Sequence, residues 1–423
     1  MRNDDANRGP LILLTVHGFF YSGRSLRRTA AISFAAMIPK SERWCVVLFF
    51  TLCLPGATLS TAAARQNQAA PAAAQPRPPR PQAPMDAERA QRLYVSADPK
   101  EHSAGTNFER DIAAKQKIDE RYTEIARGVV DFRKITYRSS VGDLDIPAYL
   151  FQPLTKRGAK GHAALVWVHG GVHGSWDNRL WPFVKEAVDR GYVVICPDYR
   201  GSTGYGEAFH NEIDYGGYEI DDTMSAVDYL KTLPHVDPER LGIMGWSHGG
   251  YITLFSVFRD KTPFKAAAAI VPVTNLVFRL SYKGPGYQRQ FATQKRIQGL
   301  PFEKPDLYIE RSPLYSVDKL QVPLLVHVST NDQDVNFVED QQMVDALRAR
   351  KPHLAETRIY VDPPGGYASV GHTFSRRVNI DTLKREDSPE QIDSWNRVWT
   401  FFDWNLRPYE DRSKPVPPPA AVR

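Results

Sequence analysis

The chain is poor in cysteine, in long apolar runs and in internal repetition, and each shortage excludes a class of protein. Three cysteines among 423 residues cannot build a disulfide framework. Two of them, Cys45 and Cys53, lie in an apolar stretch near the amino terminus that export would remove, so a mature chain keeps only Cys196 and no internal disulfide. That apolar stretch, Trp44 to Leu54, is well short of the roughly twenty residues a membrane-spanning helix takes. No repeat of about 40 to 50 residues is present, which excludes a propeller. Charge of one sign is also scarce: 54 Lys and Arg stand against 48 Asp and Glu, with much of the basic excess in the first hundred residues, so no nucleic-acid footprint is expected. What is there, 42% hydrophobic and 24% charged residues, excludes disorder throughout and leaves room for one large domain or two ordinary ones.

From Met37 the chain reads as a bacterial export signal. Lys40 and Arg43 give a charged start, Trp44 to Leu54 the apolar run, and Ala62, Ala63 and Ala64 an A-x-A cleavage site. The preceding residues fit no signal pattern, so Met37 is the expected start and the protein is expected to be exported, periplasmic or secreted. An uncleaved signal anchor is the one membrane contact left open. Residues 65–84, rich in Ala, Pro and Gln, read as a disordered tether. Residues 85–130 read as a polar helical extension with Ile112, Ile118, Tyr122 and Ile125 at helical spacing, and 411–423 as a disordered tail.

Between them, over 131–410, strand-like apolar runs alternate with amphipathic helices as in βαβ units. The runs are Ala164 to Val168, Tyr192 to Cys196, Leu241 to Gly245, Ala266 to Val271, Pro323 to Val328 and Thr357 to Val361. Runs this apolar are expected of parallel strands covered by helices on both faces. Arg133 to Arg138 and Leu144 to Phe151 alternate instead, as an antiparallel hairpin at the sheet edge would.

The sharpest chemical signal is Gly245-Trp246-Ser247-His248-Gly249, a G-x-S-x-G between a buried strand and a helix. That context is the α/β-hydrolase nucleophile turn, and it makes Ser247 the candidate nucleophile. A serine hydroxyl needs a base, and in this fold the order is Ser, acid, His. Only His353 and His372 follow both Ser247 and the next carboxylate-bearing strand end. His353 reads as a solvated turn just past a helix, while His372 sits on the loop after the last strand, where the base must stand. Asp332 and Asp334 both follow the strand Pro323 to Val328, and spacing alone does not choose between them. The oxyanion needs two donors: the amide of His248, next to the nucleophile, and an amide of His169-Gly170-Gly171-Val172-His173-Gly174, with Gly171 favoured. No metal or cofactor is expected.

Together, His-Gly-Gly at His169, Asp-Tyr-Arg-Gly-Ser-Thr-Gly-Tyr-Gly at Asp198 to Gly206, Gly-Trp-Ser-His-Gly-Gly-Tyr at Gly245, Ser-Pro-Leu-Tyr at Ser312, the run from Asp332 to Val335 and Gly-His at Gly371 resemble the catalytic domain of the prolyl oligopeptidase family of serine peptidases, in its acylaminoacyl-peptidase and dipeptidyl-peptidase branches. The resemblance spans about Arg133 to Leu406. Its D-x-x-V pattern implies Asp332 as the triad acid. The family's propeller has no counterpart in this sequence, nor have the acidic residues with which some members hold a free amino terminus, and His169 stands where some members carry an oxyanion tyrosine. The resemblance implies a peptidase acting on peptides through an acyl-enzyme. A carboxylesterase using the same triad on small esters is the alternative, and a non-catalytic binding protein is disfavoured by the intact triad candidates. The insert from Leu276 to Leu314 reads either as a partial lid or as a solvated excursion, and an oligomer is left open.

Overall fold

The computed structural model describes residues 12–17, 31–36, 47–48, 106–365 and 370–414. In the amino-terminal unit, β1 (Ile12–His17), β2 (Ala31–Ala36) and β3 (Val47–Leu48) pair antiparallel in that order. Apart from Val47–Leu48, the expected export signal lies outside the described residues, as do the tether, residues 85–105 and the tail beyond 414.

The apolar runs become strands of one eight-stranded sheet. In chain order they are β4 (Asp131–Arg138), β5 (Asp145–Gln152), β6 (His162–Val168), β7 (Val193–Pro197), β8 (Val236–Trp246), β9 (Ala266–Ile270), β10 (Leu324–Ser329) and β11 (Ala355–Tyr360). Their spatial order is β11-β10-β9-β8-β6-β7-β5-β4. β6 to β11 run parallel, and β4 and β5 form the antiparallel edge. β7 lies on one side of β6 and β8 on the other, so the chain reverses its direction of growth there. A crevice opens at the carboxyl ends of strands at such a reversal, and the loops after β6 and β8 are the ones carrying His169 to Gly174 and Ser247.

Every residue of β6 is buried, and its side chains divide by strand alternation. Ala164, Val166 and Val168 join one core with Ile220, Val227 and Leu230 of α4 (Tyr218–Lys231) and with Ile252 of α5 (His248–Val257). Ala163, Leu165 and Trp167 join another with Phe183 and Val184 of α2 (Trp181–Asp189) and Trp395, Trp399 and Phe402 of α10 (Pro389–Leu406). Trp167 stacks on Trp246 with ring centres 5.5 Å apart, which seats the residue before Ser247 on the core.

The described part of the helical extension is α1 (Phe108–Ala126). Asn107 caps it, accepting from the Arg110 amide at 2.9 Å, and Glu109 and Asp111 complement the dipole of its first turn. Tyr122 and Ala126 are buried against the sheet, with the Tyr122 ring 5.2 Å from Phe151. The insert folds as α6 (Leu276–Tyr282), α7 (Pro285–Ala292) and α8 (Pro305–Glu310), after the short α3 (Glu207–His210) earlier in the chain; α9 (Phe337–Arg350) follows β10. Leu276, Leu280, Phe291 and Tyr308 of the insert are buried in the core, so it is a packed wall rather than a solvated excursion. Among the described residues no helix is long and apolar enough to cross a membrane.

Candidate active site

Ser247 joins β8 directly to α5 with φ 55° and ψ −120°, a conformation that costs a residue bearing a side chain of order 1–3 kcal/mol. The surroundings hold it there. Its amide donates to the Ile270 carbonyl at 3.0 Å and its carbonyl accepts from the Tyr251 amide at 2.9 Å. A side chain at Gly249 would overlap the Val168 and His169 carbonyls, and one at Gly245 would overlap Gly249, so the turn closes only with glycine at both places. The first amides of α5, beginning with His248, have no intrahelical partners and face the crevice end of the sheet.

At the ends of β10 and β11 the structure brings His372 and Asp332 together: His372 Nδ1 lies 2.7 Å from Asp332 Oδ2. The other carboxylate oxygen accepts from the amides of Asp334 at 2.8 Å and Val335 at 2.9 Å, which aims the group at the ring. Asp334 points elsewhere. Its carboxylate takes Lys283 Nζ at 2.7 Å, lies 3.6 Å from Arg279, and stands 3.5 Å from His372 Nε2. Burial works against its charge, but Arg279, His372 and Lys283 hold its carboxyl at about 2.

The loop after β6 is braced from behind by the segment Asp198 to Tyr205. Tyr199 donates its hydroxyl to the Gly171 carbonyl at 2.6 Å. Ser202 Oγ meets His169 Nε2 at 2.9 Å, and the Thr203 amide donates to the Gly174 carbonyl at 2.9 Å. Asp198 is fully buried; its carboxylate accepts from the Trp176 amide at 2.8 Å and the Tyr205 hydroxyl at 2.6 Å and pairs with Lys115 Nζ at 2.5 Å. Lys115 comes from α1, and the sequence reading missed it. The signal was present: Ile112, Lys115, Ile118 and Tyr122 share one helix face, so a lysine sits on a stripe that goes inward. His169 is buried among these groups and burial pushes its ring down to about 4, so it stays neutral at pH 7.

The insert forms the opposite wall. Arg279 of α6 is buried, with Nε donating to Tyr287 Oη at 2.7 Å and NH1 to Tyr282 Oη at 3.0 Å, 3.5 Å from Glu339. Glu339 in turn accepts from the amides of Thr274 at 2.8 Å and Asn275 at 3.2 Å, anchoring the start of the insert. Ser247, His248 and Gly171 share a cavity of about 380 Å³ with Tyr287, Arg279 and Asp334. His248 fills the floor; its ring nitrogens have no hydrogen-bond partner, and Nε2 lies 3.6 Å from Glu219. Burial pushes His248 down to about 3 and Glu219 up to about 8.

A strained serine between β8 and its helix, a histidine–carboxylate pair after β10 and β11, and a glycine-rich loop after β6 thus lie at the carboxyl end of one sheet. Residues 180–379 match the model of the prolyl oligopeptidase family. The chain carries a prolyl oligopeptidase family domain. That domain has an α/β-hydrolase fold. Among curated relatives, the chain is 31% identical over 276 residues to the uncharacterized peptidase YuxL of Bacillus subtilis, covering 64% of this chain and 39% of the relative. It is 30% identical over 216 residues to dipeptidyl aminopeptidase BIII of Pseudoxanthomonas mexicana, covering 50% and 30%. The chain thus spans well under half the length of either. An acylaminoacyl peptidase of Pyrococcus horikoshii shares the fold of the prolyl oligopeptidase family domain, at a TM-score of 0.54 and 21% identity over 69% of this chain and 44% of that one.

Proposed function

We propose that this protein is a serine peptidase that cleaves peptide bonds through an acyl-enzyme. Ser247 attacks the carbonyl, His372 takes the serine proton and returns it to the leaving amine, and Asp332 holds the ring tautomer and stabilises the imidazolium. The amides of His248 and Gly171 receive the oxyanion. The observation that carries the reading is the positive-φ Ser247 in a family domain whose loops after β10 and β11 hold the 2.7 Å His372–Asp332 pair. The likeness to proteins named as peptidases supports peptides, rather than simple esters, as the substrates. Ser247→Ala should abolish labelling by a fluorophosphonate probe and lower peptide turnover by on the order of 10^4 to 10^6; a variant that still labels would move the nucleophile elsewhere.

Export belongs to the same proposal. It is supported by Lys40, Arg43, the Trp44 to Leu54 run and the small residues at Ala62 to Ala64. Amino-terminal sequencing of the protein from its host should begin near Arg65, and a cytosolic protein beginning at Met1 would refute it.

A further inference from the structure

The cavity at Ser247 has a neighbour across the oxyanion loop. This second cavity, about 420 Å³, is lined by Gly170, Trp246, Arg376 and the Asp177 and Arg179 side chains, and it shares His173 and Gly174 with the first. The first is lined by Ser247 itself; the second reaches Trp246, the residue before it, and Gly170, where a side chain would begin 3.3 Å from the Ser247 Cβ. A substrate held by its carbonyl extends in two directions from that point, so two arms are what a peptide bond requires.

The arms differ in charge. In the first, Lys283 and Arg279 are matched by Asp334 and Glu339. In the second, Arg179 is matched by Asp177, with Nε 3.0 and 3.1 Å from its two oxygens. His173 is pushed down to about 4, chiefly by burial, and is neutral at pH 7. Arg376 alone is unmatched: it makes no ion pair among the described residues, its buried Nε has no hydrogen-bond partner, and its guanidinium lies 5.7 Å from the Trp246 ring centre. The second arm therefore carries one uncompensated positive charge on a planar, fork-shaped donor suited to a carboxylate.

The loop that carries the histidine is what assigns the two halves of the substrate to the arms. The base must hand its proton to the leaving amine, so the leaving half lies along the loop that carries the base. Arg376 belongs to that loop, four residues after His372, with its amide donating to the Thr373 carbonyl at 2.9 Å. Of the first arm's residues, Asp334 reaches His372, at 3.5 Å. We propose that the second cavity receives the leaving half of the substrate and that Arg376 binds its terminal carboxylate, which makes this a peptidase favouring scissile bonds close to a free carboxyl terminus. The inference rests on the peptidase reading above. No bond changes at Arg376; the C–N bond breaks, the amine takes the His372 proton, and the product leaves with its carboxylate still paired.

The test uses the full chain and matched peptides with one acyl segment and one leaving dipeptide, ending either in a free carboxylate or in a carboxamide. A charge-assisted hydrogen bond of ordinary strength predicts a kcat/KM ratio of acid to amide of about 10 to 100 in the wild type. In Arg376→Gln that ratio should collapse toward one, and Arg376→Lys should restore part of it, with circular dichroism and a thermal melt confirming that each variant folds. A wild-type ratio near one, which needs no variant, overturns the inference while leaving a peptidase. A ratio that survives in Arg376→Gln also overturns it. Cleavage of neither peptide, with Ser247 still labelled by fluorophosphonate, overturns the peptidase reading itself.

Discussion

The two walls of the crevice each rest on a buried ion pair, and they are built differently. Behind the oxyanion loop, Asp198 is enclosed on all sides by Lys115, Tyr205 and the Trp176 amide, none of them an insert residue. Behind the insert, Arg279 pairs with Glu339 on its inner side but also faces the cavity and Asp334. The first assembly has no free valence, so its work is to fix where Gly170 and Gly171 stand. The second keeps charge in contact with whatever fills the arm, so it couples the position of the wall to the occupant. Under the proposed mechanism, placement of the oxyanion donors is thus kept separate from selection of the substrate.

The comparison breaks most sharply where the walls meet, at Asp332 and Asp334. Asp332→Asn should lower kcat by about 10^4, through the wrong imidazole tautomer. Asp334→Asn, which acts chiefly on the insert wall through Lys283 and Arg279 and leaves the Asp332–His372 pair in place, should cost less than about tenfold and fall mainly on KM. Equal losses in steady-state kinetics would mean that both carboxylates serve the histidine. Next in size is Lys115→Met, which leaves Asp198 buried without its cation. Such a removal costs about 3 to 5 kcal/mol, read by urea denaturation, and the rescue variant Lys115→Met/Asp198→Asn should recover part of it. A loss under 1 kcal/mol would show that Lys115 is solvated and the brace is not an ion pair.

Glu339→Gln sharpens the same contrast at smaller cost. It removes a charge from Arg279 and puts an amide NH2 where Oε2 met Arg279 and the Tyr282 hydroxyl, while Oε1 still accepts from the Thr274 and Asn275 amides, an expected loss of about 1 to 3 kcal/mol. Because the wall it anchors faces the acyl arm, KM should rise more than kcat falls. The converse split would place Glu339 on the chemical step.

How much of this the sequence disclosed follows from where the information lies. The parallel strands were legible because burial on both faces writes an apolar run that needs no partner to be recognised. β8 is the exception in its first half: it begins at Val236, five residues before the expected Leu241, because Asp237, Pro238 and Glu239 do not look like a strand. Ser247 was legible because strand, glycines and helix are all local. Asp332 and Asp334 were indistinguishable by spacing, since what separates them is which carboxylate meets His372 Nδ1, a contact made across two strands and a loop. Lys115 and Arg376 were hidden for a related reason. A lysine on an apolar stripe announces that it is buried, and an arginine after a histidine announces nothing; in both cases the meaning lies in a partner, or the want of one, that only the tertiary structure supplies.

The smallest effect concerns pH, and it follows from which wall holds which titrating group. Burial holds His169 and His173, in the oxyanion wall, at about 4, and His248 and His327 at about 3. Their unfolded values lie near ~6.5. A depressed histidine takes up its proton in the unfolded chain first, so stability is present above ~6.5 and is lost as pH falls toward 4. Glu219 runs the other way. Its carboxyl is raised to about 8, and Asp340 is raised well above its usual range by burial and by the neighbouring Asp332 and Glu339 charges. A raised acid stabilises below its unfolded value, near ~4.3 for Glu, and that stability is lost as pH climbs through the folded value. Between ~4.5 and ~6.5 the four histidines outweigh the two acids, and above ~6.5 the acids act alone. The melting temperature should therefore peak near pH ~6.5 and decline on both sides, more steeply on the acid side. Glu219→Gln should flatten the alkaline limb up to pH ~8. A melting temperature that does not fall from pH ~6.5 to ~8 would show that Glu219 and Asp340 have already lost their protons in the folded protein over that range.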